Sequence, residues 1–453
     1  MSRSPRIRAW RRSPQVTVAT FAILITLGTA MLMLPAASQT GTATDFTTAL
    51  FTAVSAVCVT GLIIVDTPAY WSFLGEWVIL VLIQIGGLGI MTLTTTLILL
   101  VRQRINLRVQ LSAEAETKAW TLGDVRRAVL GIIGFSLLFE AVTAVALTLR
   151  FLAGYGYPPE QALYHGLFHA VSAFNNAGFA LYSDSVMGFA TDPWIILPLA
   201  FAVVSGGLGF PVWIELWRRT RTRRTGAGKR LSLHTRITLW TSGVLLAVGT
   251  VTTTALEWNK AGTLGPMSIG EKILSGFFHS VVTRTAGFNS LDTAEFQTQT
   301  LFVTDMLMFI GGGSGGTAGG IKVTTFSLLA FVVYASVRGE SAVHVGHRRL
   351  ARGVERQAIV VALLAIGTVF VSTLVMMTIT PFTLDQLLFE VISAFATVGL
   401  STGITADLPA AGQYLLCLLM FAGRVGPITL ASALALRHTT RRFEYPEERA
   451  IVG

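Results

Sequence analysis

The sequence predicts an all-α integral membrane protein, built from four parallel helix–pore-helix–helix repeats around a pseudo-fourfold axis. Three observations predict this class. Of the 453 residues, 52% are hydrophobic and only 13% are charged, whereas soluble domains carry about 25% charged residues. The apolar residues form eight blocks long enough to cross a bilayer. Between these blocks lie four shorter apolar stretches, each ending on a glycine, at Gly61, Gly178, Gly287 and Gly399.

The eight long blocks are the predicted transmembrane helices. They cover residues 16–34, 77–101, 129–152, 194–217, 237–256, 301–337, 358–379 and 414–436. The sixth block is too long for one helix and is interrupted by glycines, so it is predicted to be broken. The four shorter stretches, each of about a dozen apolar residues, suit re-entrant pore helices that enter the membrane and turn back. They are residues 50–62, 167–179, 277–288 and 388–400.

Lys and Arg residues predict the orientation of the chain. Most of the 34 basic residues collect in five segments, whereas the other connections are acidic or neutral. These segments are residues 1–15, 102–128, 218–236 and 338–356 and the tail from 437. We expect the protein to lie in the plasma membrane. The positive-inside rule then places these five segments, and both termini, in the cytoplasm. Nucleic-acid binding is not expected, because the basic loops are too short for a folded domain. Besides setting the topology, the basic loops are expected to contact a cytosolic partner or anionic lipid.

Parallel repeats follow from this orientation, because every repeat begins and ends on the cytoplasmic side. Inverted repeats, common in secondary carriers, would alternate. The predicted repeats are residues 1–101, 102–217, 218–337 and 338–453, the last including the cytoplasmic tail. The terminal glycines are separated by 117, 109 and 112 residues. Repeats two and four align with the first without gaps, whereas the third needs a shift of one residue.

The turns that close the four short stretches predict a filter for a monovalent cation. Small or β-branched residues permit extended backbone there, and glycine permits dihedral angles that other residues avoid. Four such turns around an axis can form a ring of carbonyl oxygens that replaces the water shell of K⁺. No carboxylate lies in the turns, which disfavours a divalent-cation site. The candidate filter residues are Cys58, Val59, Thr60, Gly61, Asn175, Asn176, Ala177, Gly178, Thr285, Ala286, Gly287, Thr397, Val398 and Gly399.

The glycine-rich interruption of the sixth block, residues 311–322, predicts an intramembrane gate below the filter. Each glycine costs a helix about 1 kcal/mol relative to alanine, so a straight helix is not expected there. Buried charges in membranes are costly and usually functional. We therefore expect Arg424 to hold the loop through its carbonyls; helix packing beside a carboxylate is the alternative. The candidate gate residues are Gly311, Gly312, Gly313, Gly315, Gly316, Gly319, Gly320, Lys322 and Arg424.

No catalytic residues and no cofactor are expected. The loop superficially matches dinucleotide, nucleophile-elbow and phosphate-loop motifs, but no strand precedes it and no partner residues accompany it. His165, His169 and His279 lack metal-ligand spacing and are expected to pack or to form hydrogen bonds. Arg284 is expected to pair with Glu390 or Glu271 beside the filter.

Several segments resemble the Trk/Ktr/HKT superfamily of potassium transporters, and the resemblance covers nearly the whole chain. Because only fifteen residues precede the first span, the chain is most similar to the KtrB-type membrane subunits. The segments are Val59–Leu62, Phe174–Phe179, Arg284–Asn289, Gly316–Lys322 and Thr397–Gly403. The resemblance implies K⁺ uptake through a gated pore, and Gly61 supports K⁺ because a serine at that position accompanies Na⁺ permeation in the family.

The resemblance also implies partners. It predicts a homodimer in the lipid bilayer and a cytosolic KtrA-type nucleotide-binding regulatory ring that docks on the basic loops. Ktr relatives can require sodium, so sodium dependence is left open. A coupled secondary carrier that moves Na⁺ together with K⁺ is the alternative function.

Overall fold

The computed structural model describes residues 13–89, 92, 122–223, 231–340, 342–345, 348–350 and 352–426. Within these ranges the regular structure is helical, apart from one antiparallel pair of two-residue strands, β1 (His344–Val345) and β2 (Arg348–Arg349). The predicted all-α class is therefore confirmed. The boundary between the first two predicted repeats and most of the basic segments at residues 1–15 and 102–128 and in the tail lie outside the described residues.

Each quarter contains a first helix, a pore helix and an inner helix. The first quarter comprises α1 (Ser13–Leu32), α2 (Phe46–Val57), the short α3 (Thr67–Tyr70) and α4 (Phe73–Gly89). The second comprises α5 (Leu122–Tyr155), α6 (Pro159–Phe174), α7 (Pro193–Leu208) and α8 (Phe210–Arg223). The third comprises α9 (Leu233–Glu257), α10 (Ile269–Val282), α11 (Thr298–Phe309) and α12 (Val323–Val337). The fourth comprises α13 (Arg352–Ile379), α14 (Leu384–Ala396) and α15 (Ala410–Val425).

Four of the described helices, α1, α5, α9 and α13, are long and apolar enough to cross a membrane by themselves. Helices α7 and α8 pass the same test only as a pair, and they are bent by 99° at Gly209. The sixth predicted block is broken into α11 and α12, as expected. Helices α4 and α15 are shorter, and the predicted blocks 77–101 and 414–436 continue beyond the described residues. Exposed apolar side chains such as Trp240, Leu363 and Phe370 provide a surface suited to lipid.

Capping residues explain where the pore helices begin. The Asp45 side chain accepts a hydrogen bond of 3.0 Å from the Thr48 amide at the start of α2. At the start of α10, Ser268 and Glu271 form a capping box, which satisfies amides that would otherwise lack partners. The hydrogen bond from the Ser268 amide lowers the pKa of the Glu271 carboxyl below its usual value. These caps fix the first turns of α2 and α10.

The quarters contact one another in a closed ring. In every quarter the first helix packs on the pore helix, and the inner helix packs on the pore helix of the next quarter: α7 on α10, α11 on α14, and α15 on α2. The remaining step, from α4 to α6, is made by hydrogen bonds from Asn175 to Gln84 (2.7 Å) and from Tyr164 to Glu76 (2.5 Å). This cyclic order is the one expected for four repeats around an axis.

Glycines allow the inner helices to approach the ends of the pore helices. A Cβ atom added to Gly86, Gly206 or Gly423 would overlap a carbonyl oxygen at the end of the pore helix in its own quarter. These oxygens belong to Val57, Phe174 and Phe395. Small residues at such positions are typical of close helix packing in membranes.

We expect Gly423→Ala to destabilise the protein by about 2 kcal/mol or more, because backbone must move to admit the methyl group. Gly367→Ala is the matched control, since Gly367 lies within α13 and has no atom within 4 Å of its added Cβ. Thermal unfolding of the detergent-solubilised protein measures the effect. Equal midpoints for the two variants would contradict the close packing at Gly423.

Candidate functional site

The four terminal glycines line one cavity. Gly61, Gly178, Gly287 and Gly399 contribute to the wall of a cavity of about 460 Å³. The segments that follow the four turns line the same cavity, together with the carboxylate-bearing residues Asp66 and Asp184. The structure thus brings together four turns that lie more than 100 residues apart in sequence. The cavity has acidic groups on its wall, and acidic groups concentrate cations.

Each of the four glycines packs against the turn of the next quarter. A Cβ atom on Gly178 would lie 2.7 Å from the Ala286 carbonyl oxygen. Similarly, a Cβ on Gly61 would overlap the Ala177 oxygen, and one on Gly287 would overlap the Val398 oxygen. The series closes because a Cβ on Gly399 would overlap the Thr60 oxygen. The carbonyls before the glycines therefore form a ring with no room for a side chain at any of its four junctions.

The backbone of the turns is held in an uncommon conformation. The residue two positions before each glycine has a positive φ, at Val59 (55°), Asn176 (61°), Thr285 (74°) and Thr397 (52°). Such strain in non-glycine residues persists only where surrounding contacts over-determine it. The glycines themselves have φ between 65° and 96°. All fourteen candidate filter residues are buried.

Serine side chains hold two of the turns from behind. The Gly61 amide donates to Ser55 Oγ and the Gly399 amide to Ser393 Oγ, both at 3.1 Å. In these quarters the residue before the glycine bonds to a carbonyl five residues earlier, as in Thr60 to Ser55 (2.8 Å). In the third quarter, Ala286 instead bonds to Val282, four residues earlier (2.9 Å). The third turn therefore differs from the others in its hydrogen bonds, at the repeat for which the sequence predicted a shift of one residue.

Not every polar atom of the turns has a partner. The hydroxyls of Thr60, Thr285 and Thr397 are buried and have no hydrogen-bond partner among the described residues. They are oxygen ligands of the kind that alkali cations accept. Cys58 is fully buried at the end of α2 and does not line the cavity.

The glycine-rich loop between α11 and α12 is folded against the turns. Its residues 311–313 and 315–319 are buried. Gly313 and Thr317 donate amide hydrogen bonds to Gly207 (2.8 Å) and Gly206 (3.2 Å), at the bend between α7 and α8. Gly319 packs on the fourth turn, where an added Cβ would overlap the Thr397 hydroxyl. The loop therefore packs against the fourth turn and against the end of α7.

Three cations contact this loop, of which Arg424 and Arg284 are buried and Lys322 is half-buried. Arg424 Nη1 donates to the Thr317 carbonyl, and its Nη2 donates to the Gly86 carbonyl at 3.2 Å. Lys322 Nζ donates to the Ala318 carbonyl. Arg284 Nη2 donates to the Gly311 carbonyl at 3.3 Å. The structure contains the contact predicted between Arg424 and the loop, and none of the described carboxylates forms an ion pair with Arg424.

The predicted partner of Arg284 is wrong. Glu271 caps its own helix, and Glu390 accepts hydrogen bonds from Thr402 N (3.1 Å) and Thr405 Oγ1 (2.9 Å). Arg284 instead reaches from the third turn to the first glycine of the loop. This contact could not be predicted from the sequence. Every residue has a backbone carbonyl, so the types of side chain do not indicate which carbonyl an arginine will contact.

Thr317 was not singled out from the sequence, yet all its polar groups join the loop to its surroundings. Its hydroxyl lies 3.0 Å from the Asn176 side chain and 3.3 Å from the Phe174 carbonyl oxygen. Its carbonyl accepts from Arg424, and its amide donates to Gly206. A buried threonine in a glycine run therefore links the loop directly to the second turn.

The histidines form hydrogen bonds, as predicted. His165 Nδ1 contacts the Tyr182 hydroxyl (2.9 Å), His169 Nδ1 contacts the His165 carbonyl (2.7 Å), and His279 Nε2 contacts the Thr304 hydroxyl (3.1 Å). Among the residues that the structure describes, no group of three or more His, Cys, Asp or Glu side chains could hold a metal ion.

A closed ring of membrane helices with four buried turns beneath a shared cavity defines a membrane transport protein. The chain belongs to the TrkH family of cation transport proteins, whose family model matches residues 3–444. The predicted superfamily is thus confirmed, as is the expectation that the protein is not an enzyme.

Similar proteins agree with this assignment. The chain is 37% identical over 448 residues to Ktr system potassium uptake protein B of Vibrio alginolyticus, covering 99% of this chain and 96% of the relative. It is 33% identical over 454 residues to potassium/sodium uptake protein NtpJ of Enterococcus hirae, covering 99% of both chains. The fold is shared with the crystal structure of the potassium transporter TrkH from Vibrio parahaemolyticus, with a TM-score of 0.73 at 18% identity, covering 94% of this chain and 85% of that one.

Proposed function

We propose that the protein takes up K⁺ through a channel-like pore whose filter is the ring of four turns. The observation that carries the proposal is the closed series of contacts between each glycine and the next carbonyl. Backbone carbonyls arranged around an axis replace the hydration shell of a large monovalent cation. The relatives with 37% identity are named potassium uptake proteins, which supports K⁺ as the transported ion.

The glycine-rich loop acts as the gate in this proposal. It packs against the fourth turn and against the end of α7, and Arg424, Lys322 and Arg284 hold it through carbonyl groups. A cation beside the path repels K⁺ as well as fixing the loop. Opening then requires the loop to leave its contacts with Gly206, Gly207 and Thr397.

Partners and orientation complete the proposal. Both termini face the cytoplasm of the plasma membrane, and a cytosolic KtrA-type nucleotide-binding ring controls a homodimer of this chain. The relatives' designation as a Ktr system supports a multi-subunit assembly. Light scattering of the purified protein tests the dimer, co-purification with a nucleotide-binding subunit tests the ring, and labelling of cysteines introduced in the basic loops tests orientation.

The second candidate is coupled transport of Na⁺ with K⁺. It is favoured by the relative whose name includes both ions, potassium/sodium uptake protein NtpJ. Flux of K⁺ into liposomes with and without Na⁺ separates the two functions. A channel-like pore conducts K⁺ without Na⁺, whereas a symporter requires both ions in fixed ratio.

The proposal predicts growth rescue of a K⁺-uptake-deficient bacterium at low K⁺ by the wild-type protein.

Gly61→Ser should lower the K⁺-over-Na⁺ preference by about tenfold or more, because its side chain would displace the Ala177 carbonyl. Gly41→Ser is the matched control, since Gly41 has a similar positive φ of 68° and no atom within 4 Å of an added Cβ. Ion preference is measured from uptake of Rb⁺ and Na⁺ tracers, and equal preference in both variants would refute the filter assignment.

A further inference from the structure

A buried carboxylate contacts the second turn and has not been assigned a role in the function proposed above. Glu140 belongs to α5, and only 4% of its surface is exposed. Its oxygen Oε1 accepts hydrogen bonds from Ser136 Oγ (2.6 Å), Gln84 Nε2 (3.0 Å) and Asn175 Nδ2 (3.3 Å). Its oxygen Oε2 accepts from Gln84 Nε2 at 3.2 Å.

The donors suit the ionised form of this carboxylate, which can accept a hydrogen bond from each of them. Both oxygens face an amide N–H, which can only donate. A proton on Oε2 would face the Gln84 amide hydrogens. The orientation of the two amides is fixed, since Asn175 Nδ2 also donates to Gln84 Oε1 (2.7 Å) and to the Val171 carbonyl (2.9 Å).

No Lys or Arg of the described residues forms an ion pair with Glu140. A buried carboxylate without a cationic partner is costly, and in membranes such groups are usually functional. Glu140 contacts Asn175, which caps α6 and begins the turn that ends at Gly178. Glu140 is therefore in direct hydrogen-bond contact with the first residue of the second turn.

We propose that Glu140 raises the affinity of the pore for its cation. Its negative charge attracts the cation at the second quarter of the filter, and its hydrogen bonds to Asn175 and Gln84 fix the second turn against the first quarter. The inference rests on the proposed K⁺ uptake. It assigns part of the ionic attraction to a carboxylate outside the filter turns.

The test compares Glu140→Gln with Glu140→Asp and with the matched control Glu257→Gln. Glu257 is also fully buried and accepts only from neutral donors, Thr263 Oγ1 (2.8 Å), Gln297 N (3.0 Å) and Thr300 Oγ1, but it does not contact a filter turn. Initial rates of Rb⁺ uptake into liposomes are measured over a range of Rb⁺ concentrations, using protein that elutes as a single species. The half-saturating concentration and the maximal rate are determined separately.

Glu140→Gln should raise the half-saturating concentration about tenfold, as expected for losing one unit charge near the ion at an effective dielectric constant of about 20. Glu140→Asp, which keeps the charge, and Glu257→Gln should each remain within about twofold of wild type. A purely structural role would lower the maximal rate instead. An unchanged half-saturating concentration in Glu140→Gln, or an equal rise in Glu257→Gln, would overturn the inference.

Ser136→Ala provides a second, milder variant should Glu140→Gln not fold. It removes the 2.6 Å hydrogen bond to Oε1 and should raise the half-saturating concentration about two- to threefold. An unchanged value in this variant would also count against the inference. Failure of the wild-type protein to take up Rb⁺ or K⁺ would instead refute the proposed function, so the two failures are distinguishable.

Discussion

Gly399→Ala is expected to reduce K⁺ uptake at least about a hundredfold while the protein remains folded. The added methyl group would overlap the Thr60 carbonyl oxygen, and Gly399 has a φ of 96°, which alanine avoids. Either the alanine or the neighbouring carbonyl must then move. Because the fourth turn closes the ring onto the first, one displaced carbonyl changes the distances across the whole filter. Misplacing a single carbonyl ligand is expected to cost about 3 kcal/mol in ion binding.

Gly403→Ala separates the ring from simple backbone strain. Gly403 lies four residues further on and lines the same cavity, and its φ is 93°. An added Cβ there has no atom within 4 Å. Uptake of Rb⁺ into liposomes, normalised to folded protein, should therefore remain near wild type in this variant. If Gly399→Ala and Gly403→Ala lost similar amounts of Rb⁺ uptake, backbone strain alone would explain the effect of Gly399→Ala. That result would contradict the ring of carbonyls.

The sequence predicted those features that depend on local pattern. Long apolar blocks identified α1, α5, α9 and α13, and terminal glycines identified the turns at their correct positions. The one-residue shift of the third repeat stays a prediction that rests on alignment to its terminal glycine. A glycine cluster also predicted the break between α11 and α12, since repeated glycine is incompatible with a straight helix.

Features that depend on contacts between distant residues were missed. The partner of Arg284 is the Gly311 carbonyl rather than either carboxylate, and the 99° bend of α7 and α8 falls within a block that reads as continuous. The group of Gln84, Glu140 and Asn175 joins three helices across 91 residues of sequence. The pattern of residues within one helix does not predict such a group, because its three polar side chains are hydrogen-bond partners that come from different parts of the chain.

The contacts of Thr317 connect the proposed filter to the proposed gate. The same residue meets Asn176 of the second turn through its hydroxyl and Arg424 through its carbonyl. A displacement of the loop that breaks the second contact also removes the first. The packing of Gly319 on Thr397 adds a comparable link to the fourth turn. Opening of the loop is therefore expected to alter the support of two opposite quarters of the filter.

Arg424→Ala is expected to raise K⁺ flux in the absence of any regulatory subunit by about tenfold or more. The substitution removes two hydrogen bonds from a charged group, each worth about 1.5–3 kcal/mol, and so shifts the loop away from its buried position. It also removes a positive charge from beneath the filter, which lowers the barrier for a cation. Both effects act in the same direction. Liposome flux of Rb⁺ per folded protein measures the result.

Two further variants determine which effect dominates. Arg424→Lys keeps the positive charge but cannot reach the Thr317 and Gly86 carbonyls in the same fork geometry, because a lysine presents a single ammonium group. High flux in Arg424→Lys would show that the hydrogen bonds from Arg424 to the carbonyls keep the pore closed. Low flux would show that the positive charge keeps it closed. Arg150→Ala is the control, since Arg150 pairs with Asp192 (2.7 Å) and does not contact the loop. Flux at the wild-type level in well-folded Arg424→Ala would show that the loop does not close the pore, because neither its anchor nor the repelling charge would then limit passage.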